Sequence, residues 1–189
     1  MKLGLRDFWY DLRNRRYRFR QFAGALFAVL LLLWALPRKW DFWVGIPFIG
    51  LGEGVRLLAA GYLRKDSSLA TGGPYAFVRH PQYLGNILLA VGLCIASGYP
   101  WAVGAWVLLF WLFYLPAIRR EDKRMEHKFG PHWREWRSRT PAVLPLKWPL
   151  RGSPGRFGGW SLRRAILNGE PFWMLCVLAG VASLYVRLV

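Results

Sequence analysis

The sequence predicts an all-α membrane protein, a polytopic bundle of about five transmembrane helices with amphipathic helices on its cytosolic side. Three observations predict it. Of the 189 residues 54% are hydrophobic, yet the formal net charge is +17. The two properties are segregated, because long apolar runs alternate with short basic stretches, as membrane proteins distribute charge. Finally, no internal repeat or low-complexity tract breaks the pattern, and the length suits one domain.

The first apolar run, Phe22–Leu36, carries no charge. The second, Phe42–Leu63, is interrupted only by Glu53 and Arg56. Tyr83–Tyr99 and Trp101–Ile118 are uncharged and separated by Pro100, and Pro171–Val186 closes the chain. A span takes about 20 apolar residues. The first and last runs are short of that, and Arg20, Arg38 and Arg187 can snorkel to the interface and extend them.

Residues 1–21 hold seven Lys and Arg together with Trp9, Tyr10 and Phe19. No small-residue cleavage site follows the first run, so this segment reads as an amphipathic stretch on the membrane surface and not as a signal peptide. Residues 64–80 hold three more basic residues and 119–170 hold thirteen, whereas the opposite side has Arg38, Lys39 and Arg187. The positive-inside rule puts the N-terminus and the three basic segments in the cytosol of an inner, cytoplasmic or endoplasmic-reticulum-type membrane. Topology and anionic lipid account for the basic residues, which excludes nucleic-acid binding as their purpose. Cys94 and Cys176 both fall in apolar runs, and neither metal ligation nor a disulfide framework is indicated.

The second and third runs are joined by a loop, Arg64–His80, rich in Ser, Thr and Gly and containing Pro74. Gly98-Tyr99-Pro100 makes the third and fourth spans a tight hairpin. The fourth runs on into a charged helix, roughly Ala117–Phe129, which Gly130-Pro131 stops. His132–Arg139 suits a second short helix, Pro141 and Pro145 impose an extended path, and Trp148–Trp160 reads as a loop. Ser161 can cap a short basic helix, and Asn168-Gly169 turns the chain into the last span. The glycines of Gly50-Leu51-Gly52-Glu53-Gly54 lack the strand that a nucleotide-binding loop needs, and they suit close helix packing instead.

A charge inside a span costs about 2.5–3.5 kcal/mol on insertion scales, so Glu53 and Arg56 need a reason. Three apart on one helix, they can pair and fix packing, or they can form the polar wall of a cavity. Arg79 and His80 precede Pro81, which suits a first helical turn. They are either an interface anchor or part of an anion site at a helix N-terminus. Arg119-Arg120-Glu121-Asp122 either stops the fourth span or faces the second cluster. The hairpin favours the second reading, because it brings Arg79, His80, Tyr83 and Asn86 near Arg120, Glu121 and Asp122.

Gly73-Pro74-Tyr75, Arg79-His80-Pro81-Gln82-Tyr83-Leu84-Gly85, Glu121-Asp122, Phe129-Gly130, Pro141 and Pro145 occur in this order. The combination resembles the isoprenylcysteine carboxyl methyltransferase and phospholipid methyltransferase family, over roughly Glu53–Pro145. The resemblance implies a membrane methyltransferase core at 53–145 with a cytosol-facing pocket for S-adenosylmethionine. The residues 146–189 then form a loop, an amphipathic segment and a last helix outside that core. His80, Tyr83, Gly85, Glu121 and Asp122, with Tyr75, Arg79, Pro81 and Leu84 around them, would make up the cofactor pocket. Arg120 or Arg119 would hold a substrate carboxylate. Asp122 departs from the family's usual second Glu, and Trp133 and Trp136 stand where Tyr is common.

Such a cofactor needs carboxylates for its amino and ribose groups and a cation for its carboxylate. Tyr75 and Tyr83 offer ring faces for its sulfonium. A carboxylate acceptor needs only an arginine to place it, whereas a primary amine also needs a base such as Glu53. The expected acceptor is a lipid or prenylated molecule, methylated on a carboxyl group as in isoprenylcysteine or alternatively on a phospholipid amine. From another class, a small transporter could use Glu53 and Arg56 as a relay, but that leaves the Arg79–Gly85 and Glu121–Asp122 clusters unexplained.

Overall fold

A computed structural model describes residues 22–63, 68–145 and 159–188. The basic N-terminal segment and most of the 148–160 loop lie outside the described residues. Every described element is helical. They are α1 (Phe22–Leu33), α2 (Lys39–Tyr62), a 3₁₀ turn (Gly73–Ala76) and α3 (Pro81–Ala96). A continuous helix follows, made of α4 (Ala102–Leu109), a π-helical turn (Phe110–Tyr114) and α5 (Leu115–Arg139). The chain ends in α6 (Leu162–Leu167) and α7 (Glu170–Val186).

All five apolar runs are therefore helical, and two of the helices are long and apolar enough to cross a membrane: α2 and the continuous helix Ala102–Arg139. α1, α3 and α7 are apolar but shorter. Trp40, Leu51, Trp111, Phe172, Leu175 and Val186 all point outward and are well exposed. Large apolar surface left outside a packed bundle marks a partner or a lipid surround.

α2 and α3 form the central pair, joined by a seam of small residues. A Cβ on Gly45 would come within 2.5 Å of the Gly92 carbonyl oxygen, and one on Gly52 within 2.8 Å of that of Gly85. The positions repeat every seven residues on both helices, so one face of each stays bare and the backbones meet. Gly50 and Gly54 face open space, and only Gly52 of that glycine cluster serves the seam. Ala35, Phe42, Ile49, Leu89, Ala96 and Leu184 complete the core beside it.

The α3–α4 hairpin turns as its sequence suggests. Gly98 adopts a left-handed conformation (φ 83°). Tyr99 N–H donates to the Cys94 carbonyl and Gly98 N–H to that of Ile95, the double bond pattern of a Schellman C-terminus. Gly130 leaves helical geometry (φ 53°, ψ −123°), so α5 changes course there and resumes at Pro131. At the far end, Gly169 (φ 84°) turns the chain into α7. The Asn168 side chain donates to the carbonyls of Ala60 and Leu63, tying that turn to the end of α2. Ser161 occupies the N-cap position of α6 without a side-chain capping bond.

Candidate active site

The site is built where the start of α3 meets the charged part of α5, beyond the apolar portion of the continuous helix. Gly73 (φ 57°) begins the 3₁₀ turn against the Tyr62 ring, and Pro74 stiffens its first position. The chain then passes through a bend at Arg79 to His80, the residue before α3. Their N–H groups donate to the carbonyls of Pro141 and Ala142 at 2.8 and 2.9 Å. The proline-directed tail after α5 is thus strapped along the segment that opens α3.

Asp122 is the hub of this mouth. Its Oδ2 accepts from Arg79 at 2.9 Å, and its Oδ1 lies 2.8 Å from His80 Nε2. Arg79 also donates to the carbonyls of Thr140 and Arg137 and stands 5.7 Å over the Trp133 ring. The Glu121 carboxylate accepts from the Tyr83 hydroxyl at 2.9 Å and approaches His80 Nδ1 at 3.5 Å. Both ring nitrogens of His80 therefore face carboxylates, which favours the imidazolium. Burial works against that charge, but the hydrogen bonds and charges of Asp122 and Glu121 outweigh it and raise the pKa of His80. Burial likewise pushes Asp122 upward, and the bonds and charges of His80 and Arg79 reverse this, leaving its pKa lowered. The buried Tyr75 hydroxyl is driven well above its ordinary range, first by burial and then by the charges of Glu121 and Glu170.

A second polar group lies deeper, between α2, α3 and α7. Arg56 donates to the Asn86 side chain and, at 3.0 Å, to Glu170 Oε2. The Trp173 ring is 5.9 Å away. Of the two arrangements open to Glu53 and Arg56, the local pair is not formed, because partners on two other helices draw the guanidinium away, and both residues line a cavity instead. Both oxygens of Glu53, and Arg56 Nε, are buried without a hydrogen-bond partner among the described residues.

One cavity of about 670 Å³ joins the two groups. Its walls include Tyr75, Arg79, His80, Pro81, Tyr83 and Glu121 at the mouth, and Glu53, Arg56, Asn86 and Glu170 within. An apolar arm continues past Phe27, Leu32, Leu93, Trp106 and Val177. The volume suits a small-molecule or cofactor site. Asp122 and Leu84 stand behind the wall, and Gly85 lets the Arg56 side chain pass, since a Cβ there would lie 2.5 Å from Arg56 Cγ. Arg119 is exposed and Arg120 half-buried, and neither lines the cavity. Arg124 and Lys128, one turn apart on α5, do line it and were not among the expected residues. Glu170 and Trp173 were missed as well. The only signal for Glu170 was a lone acid opening an apolar run, which reads locally as a residue complementing the helix dipole.

The fold and cavity define a class: helical proteins with membrane-length helices around a pocket that runs from a charged mouth to an apolar interior. A family model described as phospholipid methyltransferase matches residues 42–132. The protein-S-isoprenylcysteine O-methyltransferase of Schizosaccharomyces pombe is 30% identical over 50% of this chain and 40% of its own length. The cobalt-zinc-cadmium resistance protein CzcN of Cupriavidus metallidurans is 36% identical over 60% of this chain and 57% of its own. The nickel-cobalt-cadmium resistance protein NccN of Alcaligenes xylosoxydans xylosoxydans is 31% identical over 69% and 65%. The chain thus spans less than two thirds of the length of these relatives. No solved structure matches it significantly. Over residues 42–132 the chain is thus similar to the phospholipid methyltransferase family, and the relatives it resembles include several isoprenylcysteine O-methyltransferases.

Proposed function

We propose that the chain is an integral membrane methyltransferase that moves the methyl group of S-adenosylmethionine to a carboxylate on a lipid-like acceptor of the isoprenylcysteine kind. The observation that carries this reading is the cavity of about 670 Å³, which joins a charged mouth to apolar walls. The family match over residues 42–132 supports methyl transfer, and the names of several relatives support an O-methyl product. The outward apolar surface of α1, α2, α4 and α7 supports placement in a bilayer. We take the five apolar helices as spans, with the mouth on the cytosolic side where the basic residues gather. Exposed Arg119 and half-buried Arg120 then sit at headgroup level, suited to anionic lipid.

The residues at the mouth fit the cofactor. Glu121 lines the cavity and offers a carboxylate to an ammonium or hydroxyl group. Arg79, His80, Arg124 and Lys128 supply cationic surface for a carboxylate. S-adenosylmethionine supplies an electrophilic methyl group on a sulfonium centre. Tyr75 and Tyr83 present aromatic faces there, worth about 0.5–2 kcal/mol toward a cation. Asp122 acts at one remove: with both oxygens committed to Arg79 and His80, it fixes the two cations and leaves Glu121 to face the ligand. A carboxylate acceptor is ionised at neutral pH, so the chain need move no proton. Its contribution is alignment of the two reactants and exclusion of water.

The test is methyl transfer from label-bearing S-adenosylmethionine into a lipid extract by the purified protein in detergent. Base treatment then releases the label. Volatile label means a methyl ester and supports the reading. Label that stays in the lipid means a nitrogen acceptor, and no incorporation at all removes the methyltransferase reading.

A further inference from the structure

At the inner end of the cavity the two charges of α2 do not pair with each other. Glu53 and Arg56 lie one turn apart on α2, a spacing at which opposite charges ordinarily pair. Here Arg56 is held instead by Glu170 of α7 and Asn86 of α3, and it makes no hydrogen bond to Glu53. Glu53 Oε1 and Oε2 and Arg56 Nε are left as buried polar atoms with no partner among the described residues, on two side chains that line the cavity. A buried carboxylate without a partner is costly, and its persistence beside a cavity calls for a ligand that completes it.

We infer that Glu53 and Arg56 form a receptor for a head group carrying a carboxylate and an adjacent N–H donor, with the carboxylate at Arg56 Nε and the N–H at Glu53. Glu170 and Asn86 are the positioning residues that hold the guanidinium open for it. The two free groups have opposite charge and sit about one helical turn apart, matching the donor and acceptor of an amino-acid terminus. The apolar arm beyond Leu93 and Val177 takes the hydrocarbon chain attached to that terminus. This deepens the methyltransferase reading by naming the acceptor's head, and it gives the last helix a role in the site. The same chemistry occurs at the amino-acid end of S-adenosylmethionine, so the test separates the two sources.

The experiment is equilibrium binding to the full chain in detergent, which requires no turnover. The probes are N-oleoylglycine, its methyl ester, which lacks the carboxylate, and N-oleoylsarcosine, which lacks the N–H. The protein should bind N-oleoylglycine at least about tenfold more tightly than either control, the size expected of a hydrogen bond to a charged group. Glu53→Leu should abolish the preference over the sarcosine and keep that over the ester. The paired change Arg56→Gln with Glu170→Gln, which strands no charge, should do the reverse. S-adenosylhomocysteine binding is measured on the same variants. If it is unchanged, the receptor serves the acceptor. If it weakens about tenfold while N-oleoylglycine binding is unaffected, the receptor serves the cofactor's amino-acid end. Wild-type protein that shows neither preference, with S-adenosylhomocysteine binding unaffected by the substitutions, overturns the inference. Intact probe binding without methyl transfer overturns the methyltransferase reading alone.

Discussion

Arg56 bonds Glu170, 3.0 Å away and 114 residues further along the chain, and not Glu53 on the next turn of its own helix. Both partners are largely buried, so the pair ties α7 to α2 and leaves the bundle sensitive to the loss of either one. Breaking a buried pair strands a charge, at a cost of about 3–5 kcal/mol, whereas replacing both partners with apolar groups is often near neutral. Glu170→Ala should therefore lower the unfolding free energy in detergent by about 3–5 kcal/mol. Arg56→Met with Glu170→Leu should recover most of it. A double variant as unstable as Glu170→Ala alone would show that the pair is not what holds α7.

The His80–Asp122 contact makes a pH-dependent contribution with a defined window. His80 has a raised pKa, so its share is complete below its ordinary value of 6.5 and is lost as pH rises through the raised one. Asp122 has a lowered pKa, so its share is complete above its ordinary value of 3.8 and is lost as pH falls through the lowered one. The contribution is therefore largest between those ordinary values. The stability difference between wild type and His80→Asn should be greatest near pH 5–6 and shrink toward alkaline pH, as read by thermal unfolding across a pH series. A difference that grows toward alkaline pH would contradict the assignment.

The small-residue seam distinguishes glycines that look alike in sequence. Gly52→Ala sets a Cβ 2.8 Å from a backbone oxygen on α3, and backbone yields only by moving the helix. A loss of about 1–3 kcal/mol is expected, as for overpacking elsewhere. Gly50→Ala and Gly54→Ala meet open space, and they should be neutral or stabilising by up to about 1 kcal/mol through better helix propensity. Unfolding of the three variants side by side reads the contrast, and equal effects at all three positions would remove the seam as an explanation.

Much of the site was legible because it is local in topology. Two consecutive antiparallel helices must bring the start of one near the end of the other, so Arg79, His80 and Tyr83 could be set against Glu121 and Asp122 without any long-range assumption. Their hydrogen bonds bear out that juxtaposition. The glycine cluster could be assigned to helix packing because it lacks a preceding strand, although which glycine faces α3 depends on rotation about the helix axis. Of the two readings open for Glu53 and Arg56, the cavity wall is the one the structure forms, and the local pair is absent for a physical reason. An i,i+3 contact is worth a few tenths of a kcal/mol on a helix surface, too little to compete with a buried carboxylate on another helix. Glu170 could not be found, since one acid before an apolar run carries no periodicity to set its direction. The carboxylate-binding role expected of Arg119 or Arg120 rested on their place beside the acidic pair. Neither is among the residues that line the cavity, whereas Arg124 and Lys128 further along α5 are.

Arg79 offers the closest test of how the mouth is held together. Its guanidinium reaches Asp122 and the carbonyls of Thr140 and Arg137 while lying over Trp133. Only a planar fork of donors can meet acceptors in several directions and stack on a ring at once. Lysine keeps the charge but not the fork, so Arg79→Lys should hold Asp122 and release the tail after α5. The amides of Arg79 and His80, which donate to Pro141 and Ala142, report that release directly. Their hydrogen exchange should quicken at least about tenfold, corresponding to about 1.4 kcal/mol of lost local protection. Exchange in the α2–α3 core should stay unchanged, because the seam does not involve Arg79. If the amides of Arg79 and His80 keep their protection in the Arg79→Lys variant, the backbone strap is self-sufficient and the guanidinium contacts only decorate it.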